Sequence, residues 1–79
     1  MELAFNNNIA EFRAESHFNL HLEGAGSVSL FRRTSGNGWD FISNLNGEVM
    51  DMDVAVTIPK DYRITCTAIP TMAVVTFSE

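Results

Sequence analysis

The stretch that most constrains the fold is Ser27–Phe41, in which two apolar runs flank a cluster of glycine and asparagine. Glycine adopts positive φ angles at no steric cost and asparagine tolerates the left-handed region, so the cluster predicts a tight reversal of the chain. We therefore expect a β-hairpin in which Val28 and Leu30 on one strand meet Trp39 and Phe41 on the other.

The register of this hairpin has two alternatives. A three-residue loop would place Arg32 opposite Asp40, whereas a four-residue loop would place Arg33 opposite Asp40. Either register leaves one pair of opposite charges across the two strands, which favours the hairpin.

The rest of the chain alternates between apolar and polar residues, which is the period of a β-strand. Asn/Gly turns and the prolines Pro59 and Pro70 separate the alternating segments. A helix over Ile9–Ser16 is the alternative for the first segment, because that segment contains good helix formers. The apolar phases are Ala10, Phe12, Ala14, Phe18, Leu20 and Leu22; Met50, Met52, Val54, Val56 and Ile58; Tyr62, Ile64, Cys66 and Ala68; and Ala73, Val75 and Phe77.

Six or seven short strands with one apolar face each predict two antiparallel sheets packed face to face. The expected fold is therefore a small all-β sandwich, immunoglobulin- or fibronectin-like in architecture. We assign residues 10–79 to this single domain and residues 1–9 to an N-terminal arm. The expected core residues are Leu20, Leu30, Trp39, Tyr62 and Ile64.

Length and charge restrict the classes of partner. A chain of 79 residues makes one domain near the lower size limit for a stable core. A net charge of −5, with no basic cluster larger than Arg32-Arg33, argues against nucleic acid as a partner. The single cysteine, Cys66, cannot form an internal disulfide, so we expect synthesis in the cytoplasm. We expect neither a signal peptide nor a membrane span.

The residues that could carry chemistry give weak signals. His17 and His21 are four apart, but on a strand that spacing separates them by roughly 13 Å, too far for one metal ion. Asp51 and Asp53 share a strand face, where a solvated acidic face that protects a sheet edge explains them better than a calcium or catalytic pair. Cys66 falls on a buried phase. We expect no enzyme activity, cofactor or metal.

Apolar residues outside the core phases are candidates for protein contacts. Phe31 and Val74 are out of phase with their apolar neighbours, and three more apolar residues lie in or beside the predicted arm, which could reach onto an adjacent subunit. These five residues, which predict a homo-oligomer, are Leu3, Phe5, Ile9, Phe31 and Val74. Trp39 could instead form a ligand platform at the mouth of the hairpin, although burial in the core is the favoured prediction for it.

Two segments resemble small β-sandwich proteins from the virions of tailed bacteriophages. These segments are Gly26–Ile42, with its Val-x-Leu-x-Arg strand, glycine-rich turn and tryptophan, and Asp61–Ala68, with its Tyr-Arg strand. The segment Ile58–Arg63 also resembles the corner that opens the penultimate strand of fibronectin type III domains. In that corner the tyrosine hydroxyl bonds to nearby backbone, a role that Tyr62 could carry.

The resemblance to virion proteins implies a non-enzymatic structural protein that acts in virion assembly or in decoration of a capsid or tail. It implies other capsid or tail proteins as partners, synthesis in the host cytoplasm and a final location in the virion. Neither nucleic acid nor a membrane is expected as a partner. The alternative is a stand-alone β-sandwich module that binds carbohydrate or protein.

Overall fold

Seven antiparallel strands in two sheets form a β-sandwich in the computed structural model, which describes residues 1–78. The first segment is a strand rather than a helix, in keeping with its alternation. The strands are β1 (Ile9–Ala14), β2 (Phe18–Glu23), β3 (Ser27–Arg33), β4 (Trp39–Asn46), β5 (Val49–Val54), β6 (Lys60–Cys66) and β7 (Met72–Phe77).

The strand order is β1-β6-β3-β4 in the larger sheet and β5-β2-β7 in the smaller one. The pairs β2–β5 and β3–β6 correspond to the central B–E and C–F pairs of an immunoglobulin sandwich. The first, fourth and last strands, however, lie in the other sheet relative to that order: β1 lies beside β6, β4 beside β3, and β7 beside β2. The sandwich architecture is therefore as predicted, with a different arrangement of β1, β4 and β7.

The core lies between the sheets and contains four of the five expected residues, Leu20, Leu30, Tyr62 and Ile64. An aromatic cluster forms one end of it. The ring centroid of Phe18 lies 5.1 Å from those of both Phe12 and Tyr62, and the Phe12 and Tyr62 rings are 5.8 Å apart. Phe18 belongs to the smaller sheet and the other two to the larger, so this cluster joins the two sheets.

The prediction that Trp39 lies in the core is wrong, and the hairpin register explains why. The register is the one that pairs Arg32 with Asp40, closed by a hydrogen bond of 3.0 Å from the backbone N–H of Thr34 to the carbonyl of Gly38. The neighbouring pair is then Arg33 with Trp39, and Arg33 is on the opposite face from Leu30. Trp39 therefore lies, partly exposed, on the outside of the larger sheet.

A β-bulge in β4 changes the phase of that strand. The pairing shifts between Leu30 and Phe31, so that Leu30 lies opposite Ser43 and Phe31 lies opposite Phe41. Because of the extra residue, both Ile42 and Leu45 pack against the core. At the other end of the same strand, Trp39 and Phe41 project outward. A bulge on an edge strand also discourages pairing with a strand of another molecule.

The N-terminal segment, residues 1–8, packs along β7 of its own chain. The backbone N–H of Val75 donates to the carbonyl of Met1 at 2.8 Å, and the N–H of Leu3 donates to the carbonyl of Ala73 at 3.0 Å. The segment thus extends the smaller sheet beyond β7. The Asn6–Asn8 run then turns the chain towards β1 in the larger sheet, with φ angles of 54° and 64° at Asn7 and Asn8.

Candidate contact surface

Five side chains form an arginine–aromatic face on the outside of the larger sheet. The strand registers place them together, because Phe31 lies opposite both Phe41 and Arg63, and Arg33 lies opposite Trp39. Side chains of alternate residues project on the same side of a sheet, so these positions share the outer face. We define the arginine–aromatic face as Phe31, Arg33, Trp39, Phe41 and Arg63.

Aromatic and cationic groups contact one another across this face. The Phe31 and Phe41 rings pack edge to face, with centroids 5.8 Å apart and an interplanar angle of 71°. The guanidinium carbons of Arg33 and Arg63 lie 4.9 and 4.5 Å from the centroid of the Trp39 ring. Each cation–π contact at such an exposed position contributes about 0.5–1 kcal/mol, so Trp39 is held in place without being buried.

Hydrogen bonds orient the two guanidinium groups. Arg63 donates from Nε at 3.0 Å and from Nη2 at 2.7 Å to Oε2 of Glu11, which lies opposite it on β1. Arg33 donates from Nη2 to Oδ1 of Asn37 at 2.7 Å, across the hairpin loop. Because these contacts fix long side chains, less conformational entropy remains to be lost when a partner binds.

The arginines also restrict the alternative in which Trp39 forms a ligand platform, for example for a sugar. A sugar ring stacks on an open aromatic face, whereas two guanidinium groups lie within 5 Å of the Trp39 centroid. At least one face of the indole is therefore covered. Less of the aromatic surface of Trp39 is therefore open for a stacked sugar.

The five predicted contact residues separate into different environments. Phe31 belongs to the arginine–aromatic face, whereas Leu3 and Phe5 pack against the chain's own core. Val74 is half-buried and bridges to Glu2 of the N-terminal segment, and Ile9 lies half-buried on β1 opposite Thr65.

Of the arginine–aromatic face, the sequence analysis predicted only Phe31 as a contact residue. The strand register would have predicted the other aromatic residues. Alternation counted from the Arg32–Asp40 pair places Trp39 and Phe41 on the same face as Phe31 and Arg33.

The outer face of the smaller sheet has the opposite character. His21 lies between two carboxylates, with Nδ1 3.0 Å from Oδ2 of Asp51 and Nε2 2.7 Å from Oε2 of Glu23. Asn19 donates from Nδ2 to Oδ1 of Asp53 at 3.0 Å. We define the acidic face as Glu23, Asp51 and Asp53. β5 is an edge strand, so Asp51 and Asp53 lie at a sheet edge, as the sequence predicts.

The basic residues are confined to one sheet, which also carries Glu11, Asp40 and Asp61 on its strands. All five Lys and Arg residues lie on strands of the larger sheet, namely Arg13, Arg32, Arg33, Lys60 and Arg63. The outer surface of the smaller sheet instead presents the acidic face. A chain with net charge −5 therefore has one sheet that can receive acidic groups and one that can receive basic groups.

The contacts of His21 predict a pH dependence. Hydrogen bonds to Glu23 and then Asp51 raise the pKa of His21 above 6.5, and the bond from His21 lowers the pKa of Asp51 below 3.8. A raised histidine pKa contributes stability fully below 6.5, and that contribution is lost as pH rises through the folded pKa; the Asp51 contribution is lost as pH falls through its lowered pKa. The contact should therefore stabilise most between pH 3.8 and 6.5, where both contributions are fully present.

An NMR titration of the His21 ring checks this prediction. The midpoint should lie above 6.5 in the native chain and fall towards that value in Glu23→Gln and Asp51→Asn. Glu15→Gln, at an exposed position that pairs with Arg13, is the matched control and should leave the midpoint unchanged. Identical midpoints in the native chain and the combined Glu23→Gln/Asp51→Asn variant would contradict the prediction.

Other candidate residues have structural environments. Burial raises the pKa of the Cys66 thiol to about 11, which keeps it protonated and unreactive at neutral pH. His17 accepts a hydrogen bond at Nδ1 from the backbone N–H of Val56, at 2.8 Å. Within residues 1–78, His, Cys, Asp and Glu side chains form no group of three that could hold a metal ion. That part of the chain also contains no helix long and apolar enough to cross a membrane.

Comparison with known proteins gives no family assignment. No family model matches the chain, and neither a curated protein nor a solved structure is significantly similar to it.

Proposed function

We propose that this chain is a non-enzymatic structural protein that assembles through its arginine–aromatic face. The observation that carries the proposal is the outward position of Phe31, Trp39 and Phe41, beside two arginines, on the sheet that also carries every other basic residue. Phe41 is 59% exposed. Tryptophan and arginine are the residue types most enriched among the side chains that dominate binding energy at protein interfaces, so this composition supports a contact surface.

The partner we propose for this face is the acidic face of a second copy. Arg33 and Arg63 would meet carboxylates such as Asp51, and the aromatic rings would be removed from water at the centre of the contact. Because the two surfaces belong to different sheets, the contact is heterologous, and copies would associate head to tail. Such a contact produces rings or linear arrays, the arrangement that a repeating structural protein needs.

The setting we propose is a bacteriophage particle, where the chain would contact capsid or tail proteins after synthesis in the host cytoplasm. This part rests on the resemblance of Gly26–Ile42 and Asp61–Ala68 to virion proteins. The protonated state of the Cys66 thiol, which argues against a cysteine nucleophile, supports a structural over an enzymatic role.

Sedimentation velocity with complementary variants tests the head-to-tail contact. Phe41→Ser removes an exposed anchor, and Asp51→Lys reverses a charge on the acidic face. We expect the native chain to associate with increasing concentration and each variant alone to remain monomeric. A mixture of the two variants should form a one-to-one dimer, because each retains one intact face. Added salt should weaken the association.

The hairpin loop provides a matched control, Ser35→Lys, which should associate like the native chain. A native chain that stays monomeric at all concentrations would overturn the head-to-tail contact, as would variants that associate normally. Purified phage particles test the setting separately. We expect the chain to co-sediment with particles and Phe41→Ser to reduce its incorporation, and absence of the chain from particles would overturn the phage setting.

A further inference from the structure

A cavity of about 270 Å³ lies between the N-terminal segment and β7. A smaller cavity at the end of the sandwich is lined by several side chains that can donate hydrogen bonds. This second cavity has a volume of about 240 Å³ and lies where the inner face of the larger sheet continues past the aromatic cluster. Its lining consists of Arg32, Ala55, Thr57, Ile58, Lys60 and Tyr62.

The strand register brings three hydrogen-bond donors to this cavity. Arg32 on β3 lies directly opposite Tyr62 on β6, and Lys60 precedes Tyr62 by two residues on the same strand. Residues two apart on a strand project on the same side, so all three side chains belong to the inner face. Further inward this face is apolar, and the donors begin where the core ends.

The basic residues differ in whether another side chain already pairs with them. Arg13 pairs with Glu15 and Asp61, Arg63 pairs with Glu11, and Arg33 donates to Asn37. Within residues 1–78, neither Arg32 nor Lys60 has a carboxylate oxygen within 4.0 Å of its nitrogens. Both line the one cavity.

Tyr62 adds a third group without a protein partner. Its ring is packed in the aromatic cluster and the residue is 1% exposed, yet none of the side-chain hydrogen bonds among residues 1–78 involves its hydroxyl. The bond to nearby backbone that the fibronectin-like corner implied is therefore not formed. Within residues 1–78 no buried side-chain nitrogen or oxygen lacks a hydrogen-bond partner, so the unpaired Tyr62 hydroxyl lies at the cavity surface, where it can donate to a bound acceptor.

We propose that this cavity binds a small oxyanion, the phosphate or carboxylate group of a small molecule. The Arg32 guanidinium can hold two oxygens of such a group in parallel, Lys60 supplies a compact positive charge, and the Tyr62 hydroxyl donates a third contact. Pockets for drug-sized ligands measure about 300–1,000 Å³, so the smaller volume here suits a single anionic group. The site is separate from the arginine–aromatic face and independent of the function proposed for it.

Calorimetric and NMR titrations of the full chain with inorganic phosphate, and separately with acetate, test the site. We expect saturable binding of at least one anion, with chemical-shift changes concentrated at Arg32, Lys60 and Tyr62. Arg32→Gln should weaken binding by about 10- to 100-fold, as expected for loss of a charge-assisted hydrogen bond. Binding of only one anion identifies the ligand group, and binding of both supports the shared chemistry.

Two variants separate a site from a general charge effect. Arg13→Gln removes a cation from the outer face of the same sheet and should leave affinity unchanged within about twofold, because Arg13 already pairs with acidic groups. Tyr62→Phe keeps the packed ring, so it should weaken binding while leaving the thermal midpoint of the unliganded chain unchanged. Saturable binding of neither anion would overturn the proposal, as would equal weakening by Arg13→Gln and Arg32→Gln.

Discussion

Replacing Phe18 by alanine should remove about 3–5 kcal/mol from the free energy of unfolding. Phe18 is 2% exposed and packs against Phe12 and Tyr62 of the opposite sheet, as well as against Phe77 on β7. Alanine would leave a cavity at the junction of the two sheets, and each lost aromatic pair adds about 0.5–1.5 kcal/mol to the cost of lost burial. A domain of this size has a total stability near the lower end of the usual range of about 5–15 kcal/mol, so Phe18→Ala should lose most of its stability.

Urea denaturation followed by circular dichroism measures this loss. Trp39→Ala serves as the comparison between a buried and a surface aromatic residue. Both substitutions delete a large aromatic side chain. Trp39 lies on the outer face, where its two cation–π contacts are with Arg33 and Arg63, so we expect a loss of about 1–2 kcal/mol. Equal losses in the two variants would contradict the assignment of Trp39 to the surface.

Alternation of apolar residues was sufficient to predict the strands and most of the core. Leu20, Leu30, Tyr62 and Ile64 are buried because each falls on the inward phase of its strand. The acidic character of β5 was also predictable, since Asp51 occupies the outward phase of a strand that ends a sheet. These features depend on local periodicity alone, which a single sequence contains.

The position of Trp39 depended on register, which periodicity does not specify between two strands. A hairpin with an aromatic residue at every second position is compatible with either face, and the pairing of Arg33 with Trp39 decides which. The bulge beside Phe31 adds a further change of phase. The arginine–aromatic face could therefore be found only by counting pairs outward from the loop, once the opposition of Arg32 and Asp40 was chosen.

Features that depend on the pairing of strands distant in the chain could not be predicted from the sequence. The distribution of charge over the two sheets requires knowing that β1 joins β6 and that β7 joins β2, an exchange relative to the immunoglobulin order. The cavity beside Tyr62 likewise requires that Arg32 and Lys60, on different strands, reach the same end of the sandwich. Long-range pairing, rather than local propensity, creates both surfaces.

Gly26→Ala should destabilise the chain strongly, because the turn between β2 and β3 has no space for a side chain there. Gly26 has a φ angle of 75°, in the left-handed region where an alanine costs about 1–2 kcal/mol. A Cβ atom at this position would also collide with the Thr67 hydroxyl. That hydroxyl accepts a hydrogen bond of 2.8 Å from the backbone N–H of Ser27, so displacing it breaks the link between this turn and the residue that follows β6.

We therefore expect Gly26→Ala to lose about 2–4 kcal/mol in urea denaturation, from backbone strain together with the displaced hydrogen bond. Gly36→Ala is the matched control, because an added Cβ there has its nearest contact at 4.0 Å, with the Thr34 hydroxyl, and should change stability by less than about 1 kcal/mol.

A double variant, Gly26→Ala/Thr67→Ala, separates the contribution of the collision from that of the backbone strain. Removing the Thr67 hydroxyl relieves the collision but not the strain, so the double variant should lose less than the sum of the two single variants. Full additivity would show that the collision with Thr67 contributes nothing, and equal stabilities of Gly26→Ala and Gly36→Ala would contradict the strained turn itself.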